Sequence, residues 1–231
     1  SIRLLTEVSR VRAPPSSPVK LMKSKYKNNL IFDFDGTLAD TLAFTVNAAT
    51  EINRSLHLLS DEKIDFEKFR STDTIGFFKD LEIPTYKLIF FLYKYQRKQS
   101  KQIDNVKVFD ELPAVLNQLK NNGIGLGVAT SNSTKNVKLF LKNNNLNMFN
   151  FIYSSIDYFH KNKILERAIK KYGMEKENVI YVGDEIRDIK AAKEAGIKIA
   201  SVTWGYNFEN VLNKYKPDFI INKPEELLNL Y

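Results

Sequence analysis

Apolar residues along this chain follow two rhythms, and short polar stops separate them. Leu30-Ile31-Phe32 and Val179-Ile180-Tyr181-Val182 are continuous apolar runs, the pattern of strands buried on both faces. Strands are predicted at Leu30–Phe34 and near residues 124–130, 151–155, 178–183, 197–203 and 217–221. Between them, apolar residues recur at helical spacing near 113–122, 133–144, 162–172, 186–195, 207–214 and 224–230. Pro113 suits a first helical turn and Gly123 a helix stop. Strand-helix alternation with short connections predicts an α/β fold, a doubly wound parallel sheet with right-handed crossovers.

The strand rhythm disappears over residues 41–105. Helical spacing runs there from Thr41 to about Leu58, over Phe66–Leu81 and over Thr85–Gln102, with Lys and Arg between the apolar positions. The expected layout is therefore a core of residues 28–40 and 106–231 with an all-helical cap, 41–105, inserted into it. No repeat and no low-complexity tract is present in the 231 residues, and a core with one insert suits that length.

Residues 1–27 differ from the rest. They carry seven basic residues against Glu7 alone, +6 of the chain's net +8, so the body holds only +2. That is weak support for a nucleic-acid surface, and no nucleic-acid partner is expected. Ala13-Pro14-Pro15-Ser16-Ser17-Pro18 suits neither helix nor central strand. Residues 1–27 are read as a leader, disordered or foreign to the fold. Residues 1–21 are expected to be a tag or an upstream extension, with a transit peptide as the rival reading. No apolar stretch approaches a membrane span, so no membrane partner is expected. The absence of Cys removes disulfides, thiol catalysis and Cys-zinc sites.

The polar stops carry the chemistry. The first strand ends in Asp33-Phe34-Asp35-Gly36-Thr37, two carboxylates followed by a glycine that lets the chain turn at once. Ile124 to Ala129 runs into Thr130-Ser131-Asn132; Lys161 opens an amphipathic segment; Val182 leads into Gly183-Asp184-Glu185-Ile186-Arg187-Asp188. Strand ends of open α/β sheets are where active sites sit.

In order and spacing, these four segments resemble the motifs of the haloacid dehalogenase superfamily, in particular its phosphoglycolate-phosphatase-like hydrolases with a small helical cap. The likeness covers about Leu30 to Leu230. It implies a cytoplasmic, Mg²⁺-dependent phosphatase of small phosphomonoesters, with 2-phosphoglycolate as one substrate, present as a monomer or homodimer. By resemblance Asp33 is the nucleophile, forming an aspartyl-phosphate, and Asp35 the general acid and then base. The metal set is the Asp33 carboxylate, the Asp35 carbonyl and Asp184, with Asp188 one helical turn on holding a metal-bound water. Thr130 and Lys161 hold the phosphoryl group; Gly36, Thr37, Ser131 and Asn132 complete the substrate-binding set.

Several residues keep a second reading. Thr130, Ser131 and Asn132 are also good helix caps. Lys163 competes with Lys161, and Glu185 either supports the site or caps the next helix. Arg70, with Ser71, is expected to reach from the cap to a second anionic group, the alternative being a solvated charge. His57 and His160 show no ligand spacing, and Trp204 is expected to pack. A carboxylate at Asp35 points to phosphoryl transfer rather than dehalogenation. A sugar phosphomutase and a non-catalytic binding module on the same fold remain the alternatives.

Overall fold

The computed structural model describes residues 24–58, 65–73, 76–77, 80–81, 83–155 and 160–231. Among them, β1 (Asn29–Phe32), β2 (Gly125–Thr130), β3 (Phe151–Ser154), β4 (Val179–Gly183), β5 (Lys198–Val202) and β6 (Phe219–Ile221) form a six-stranded sheet. Every pairing is parallel, in the order β3-β2-β1-β4-β5-β6, the doubly wound arrangement the alternation predicts. Phe32 lies opposite Val128 on one side and Val182 on the other. The polar segments after β1, β2 and β4 therefore meet at one end of the sheet, where the winding reverses about β1.

Period-two geometry divides the core. Leu30 and Phe32 face one layer, against Leu116 of α4 (Leu112–Asn121) and Phe140 of α5 (Thr134–Asn143). Ile31 faces the other layer with Ala129 and Tyr181, against Ile164 of α6 (Lys161–Lys171) and Ile189 of α7 (Ile186–Ala195). Local signals set the helix ends. Pro113 sits in the first turn of α4, the Ser133 side chain accepts from the Asn136 N–H at the start of α5, and Gly196 closes α7 at φ +70°.

Between β1 and residue 106 lie the α-helices α1 (Leu42–Leu56), α2 (Phe66–Ser71) and α3 (Thr85–Gln102), the last running into a 3₁₀ turn, Ile103–Asn105. The helix expected over 66–81 is interrupted. Thr72 is extended, and its carbonyl and that of Arg70 accept from the Asn207 side chain, which draws this backbone off the helical path. Residues 74–75 and 78–79 lie outside the described residues. The helix expected from 207 begins at Glu209 as α8 (Glu209–Lys214), because Tyr206 and Asn207 bond to Asp184. The last predicted helix is a six-residue 3₁₀ segment, Pro224–Asn229.

Of the segment read as a leader, residues 1–23 lie outside the described residues. Residues 24–27 lie against the body: the Ser24 N–H donates to the Gly173 carbonyl at 3.0 Å and the Tyr26 hydroxyl accepts from Asn150 at 3.0 Å. No helix among the described residues is long and apolar enough to cross a membrane.

Candidate active site

Phe34 explains how two carboxylates so close in sequence face the same space. It is fully buried, edge-on to Phe140 with ring centroids 5.0 Å apart, so the residues on either side of it turn outward. The Asp33 N–H donates to the Val182 carbonyl at 2.8 Å, which ties the strand end to β4. Gly36 then turns at φ +75°, and a Cβ on it would stand 2.2 Å from Asp184 Oδ2. Only a glycine fits this bend.

Lys161, 4% exposed, lies between Asp33 at 2.5 Å and Asp188. Lys163 is exposed on the same helix. Burial alone would lower the Lys161 ammonium, but Asp188 and Asp33 outweigh it and hold the pKa above the usual value. Asp188 also accepts the N–H groups of Asp184 and Glu185, both at 3.0 Å, which fixes the start of α7. Burial pushes Asp188 up to about 6, with Lys161 opposing.

Asp184 is fully buried. Its carboxylate accepts the Thr37 hydroxyl at 2.6 Å and the Tyr206 N–H at 2.8 Å. Thr37, expected at the substrate, thus orients this carboxylate. Burial first, then Glu185, Asp188 and Asp33, hold Asp184 well above the ordinary carboxylate range. Asp33, Asp184 and Asp188 present oxygens within 4.8 Å of one another. An all-oxygen, charge-crowded set of this kind fits a hard divalent cation, which would relieve the repulsion.

Asp35 has a different environment. Half-buried, it accepts the Asn132 amide at 2.9 Å and the Gln99 amide at 2.5 Å. Loss of solvent pushes it up to about 6 against the Asn132 amide, with the Asp33 charge adding to the rise. Thr130, 2% exposed, accepts the Asn132 N–H at 3.1 Å, so that N–H is already used within the loop rather than offered to an anion. The Ser131 hydroxyl is buried at 3% exposure with no hydrogen-bond partner among the described residues. An orphaned buried hydroxyl beside Thr130 suits an oxygen-rich ligand.

Arg70 is placed elsewhere than expected. Its guanidinium donates to the Tyr206 carbonyl at 2.9 Å and the Gly205 carbonyl at 3.4 Å, and stacks 4.1 Å over Phe208. It joins α2 to the loop that holds Asp184. Trp204 packs against Phe109 and donates to the Thr37 carbonyl at 3.2 Å. His57 is exposed at the end of α1.

Glu185, read as a support or a cap, forms a capping box with Asp188 at the start of α7; sequence reasoning missed Gln99 and the Arg187 partner of Glu185, 2.7 Å away. A signal for Gln99 existed. It continues the helical stripe of Phe91, Leu92 and Tyr95 as a polar residue at a core-facing position, and it is 1% exposed.

Comparison with known proteins points to one family. The family model for haloacid dehalogenase-like hydrolases matches residues 30–202. A phosphoglycolate phosphatase of Synechococcus elongatus is 28% identical over 200 residues, covering 86% of this chain and 94% of its own length. A pyrophosphatase, PpaX, of Bacillus cereus is 25% identical over 205 residues, covering 87% and 94%. Among solved structures, a haloacid dehalogenase-like hydrolase from Streptococcus pneumoniae superposes with a TM-score of 0.73 at 26% identity, over 87% of this chain and 97% of that one. A predicted phosphatase from Clostridium acetobutylicum, at 22% identity and a TM-score of 0.75 over 89% and 100%, shares the fold.

Proposed function

The chain belongs to the haloacid dehalogenase-like hydrolase family, and we propose that it hydrolyses small phosphomonoesters in two steps through an aspartyl-phosphate on Asp33. The observation that carries this is the contrast between its two carboxylates. Asp33 faces the Lys161 ammonium at 2.5 Å, whereas Asp35 is pushed up to about 6. Paired carboxylates in unlike environments divide the work of nucleophile and acid.

In the first step an Asp33 oxygen attacks phosphorus and the bond to the leaving oxygen breaks, while Asp35 gives that oxygen its proton. In the second, Asp35 takes a proton from water as the water oxygen attacks the same phosphorus; inorganic phosphate leaves and Asp33 is regenerated. Lys161, Thr130 and Ser131 hold the phosphoryl oxygens in this reading. Asn132 and Gln99 hold Asp35 in place. Asp33, the Asp35 carbonyl and Asp184 would hold Mg²⁺, with Asp188 supporting the set. The cation would offset the negative charge that phosphate brings to the carboxylates.

Phosphate release from a panel of phosphorylated metabolites, with and without Mg²⁺, tests the proposal. Release that needs Mg²⁺ and disappears in Asp33→Asn is the expected result. No release from any ester with either Mg²⁺ or Mn²⁺ would overturn it. Phosphoglycolate and pyrophosphate, named for the relatives, belong in the panel.

A further inference from the structure

A cavity of about 140 Å³ opens beside Asp35, between the core and helices α1, α2 and α3. Its floor is polar: Asp35, Thr130, Ser131 and Asn132, where the phosphoryl group would lie. The wall the leaving group would face is apolar, formed by residues such as Val46, Phe69, Phe77, Leu81, Phe91 and Leu92. The hydroxyls along that wall are satisfied. Thr45 bonds to Tyr95 and to Tyr206 at 2.7 Å each, and Tyr206 bonds to Thr41 at 2.9 Å.

The cations near the site are engaged as well. Among the described residues, Arg187 is the one Lys, Arg or His lining the cavity, and it is paired with Glu185 at 2.7 Å. Arg70 is bound to backbone carbonyls. A carboxylate or second phosphate in this cavity would leave water with no free counter-charge among the described residues, at a cost of several kcal/mol. An apolar group would gain about fourfold in affinity per buried methylene. The volume is close to the roughly 150 Å³ that holds one benzene ring in an apolar cavity.

We infer that the substrate is a phosphomonoester whose alcohol is apolar, about four to six carbons or a single ring, and not a carboxylated phosphoester such as 2-phosphoglycolate. This rests on the phosphatase reading of the same site. Alkyl esters make the better comparison, because the alcohols then differ little as leaving groups.

With Mg²⁺ present, kcat/KM for n-butyl phosphate is expected to exceed that for methyl phosphate and for 2-phosphoglycolate at least tenfold. Ala49→Leu, which narrows the apolar wall from α1, should cut the butyl advantage and leave methyl phosphate hydrolysis unchanged. Equal rates for butyl and methyl esters, or a preference for 2-phosphoglycolate, would overturn the inference while leaving the phosphatase reading in place. Calorimetry with non-hydrolysable phosphonates separates the two further. Butylphosphonate should bind at least tenfold more tightly than 3-phosphonopropionate even if no ester is turned over. The reverse order would sink the inference whatever the activity.

Discussion

Gln99 donates its side-chain amide to the Asp35 carboxylate at 2.5 Å. The two residues are 64 positions apart, and the bond joins the last turn of α3 to the strand end that carries the proposed acid. The Gln99 carbonyl in turn accepts the Asn132 amide at 2.9 Å, so the three side chains hold one another. The Gln99 amide on α3 thereby favours the ionised form of Asp35, against the larger effect of burial.

Gln99→Leu tests that link. The amide favours ionised Asp35, so its loss raises the Asp35 pKa above about 6. A hydrogen bond to a charged group contributes about 1.5–3 kcal/mol, and the Asn132 amide remains. The alkaline limb of kcat/KM should therefore move up by about one to two units. The acid limb reports the second ionisation of the substrate phosphate and should stay where it is. An unmoved alkaline limb would show that Asp35 is not the titrating acid.

Asp33→Asn should lower kcat at least 10³-fold, about 4 kcal/mol of barrier. The melting temperature should stay within about 4 °C of the parent, because Lys161 keeps Asp188. Retained turnover above about 1% would remove Asp33 from covalent chemistry. A collapse in melting temperature would assign the lost activity to unfolding instead.

Arg70→Ala should act on all substrates alike. Its two hydrogen bonds and its contact with Phe208 stabilise the join between α2 and the 205–208 loop by about 1–2 kcal/mol. A chain of this size should lose about 3–6 °C in melting temperature. kcat/KM should fall by the same factor for butyl phosphate and for 2-phosphoglycolate. A loss confined to the carboxylated ester would place Arg70 at the substrate after all.

The sheet was legible because its strands are buried on both faces, and runs such as Leu30-Ile31-Phe32 have no polar side to disguise them. The polar strand ends were legible too: Asp33, Thr130 and Asp184 meet because the register of β1 with β2 and β4 brings their ends level. Lys161 and Lys163 could not be separated in the sequence, since one is buried and the other exposed only once α6 is docked. Arg70 misled because its partners are backbone carbonyls 135 and 136 positions away, which have no side-chain signature. Thr37 was placed at the substrate because nothing local shows that its hydroxyl reaches Asp184, 147 positions on. Neither of these two contacts leaves a trace in local spacing.

The carboxylate cluster predicts an unusual pH dependence for the metal-free protein. Asp35 and Asp188 are pushed up to about 6, and Asp184 stands well above the ordinary carboxylate range. In the unfolded chain each would titrate near 3.8. Between about pH 4 and 6 the folded state therefore binds more protons than the unfolded state. Stability must then rise as pH falls through 6, the opposite of a carboxylate held by a salt bridge. Lys161 does not cancel this, because its pKa lies above 10.5, outside the window. The EDTA-treated protein should melt several degrees higher at pH 5.5 than at pH 7.5. Mg²⁺ should raise the melting temperature most at pH 7.5, above the value of about 6 to which Asp35 and Asp188 are pushed, and should flatten or reverse the slope. Differential scanning calorimetry across this range, with EDTA and with Mg²⁺, measures both slopes. A metal-free protein that loses stability as pH falls from 7.5 to 5.5 would mean that these carboxylates are already neutralised within the fold, and the argument for a cation among Asp33, Asp184 and Asp188 would lose its electrostatic basis.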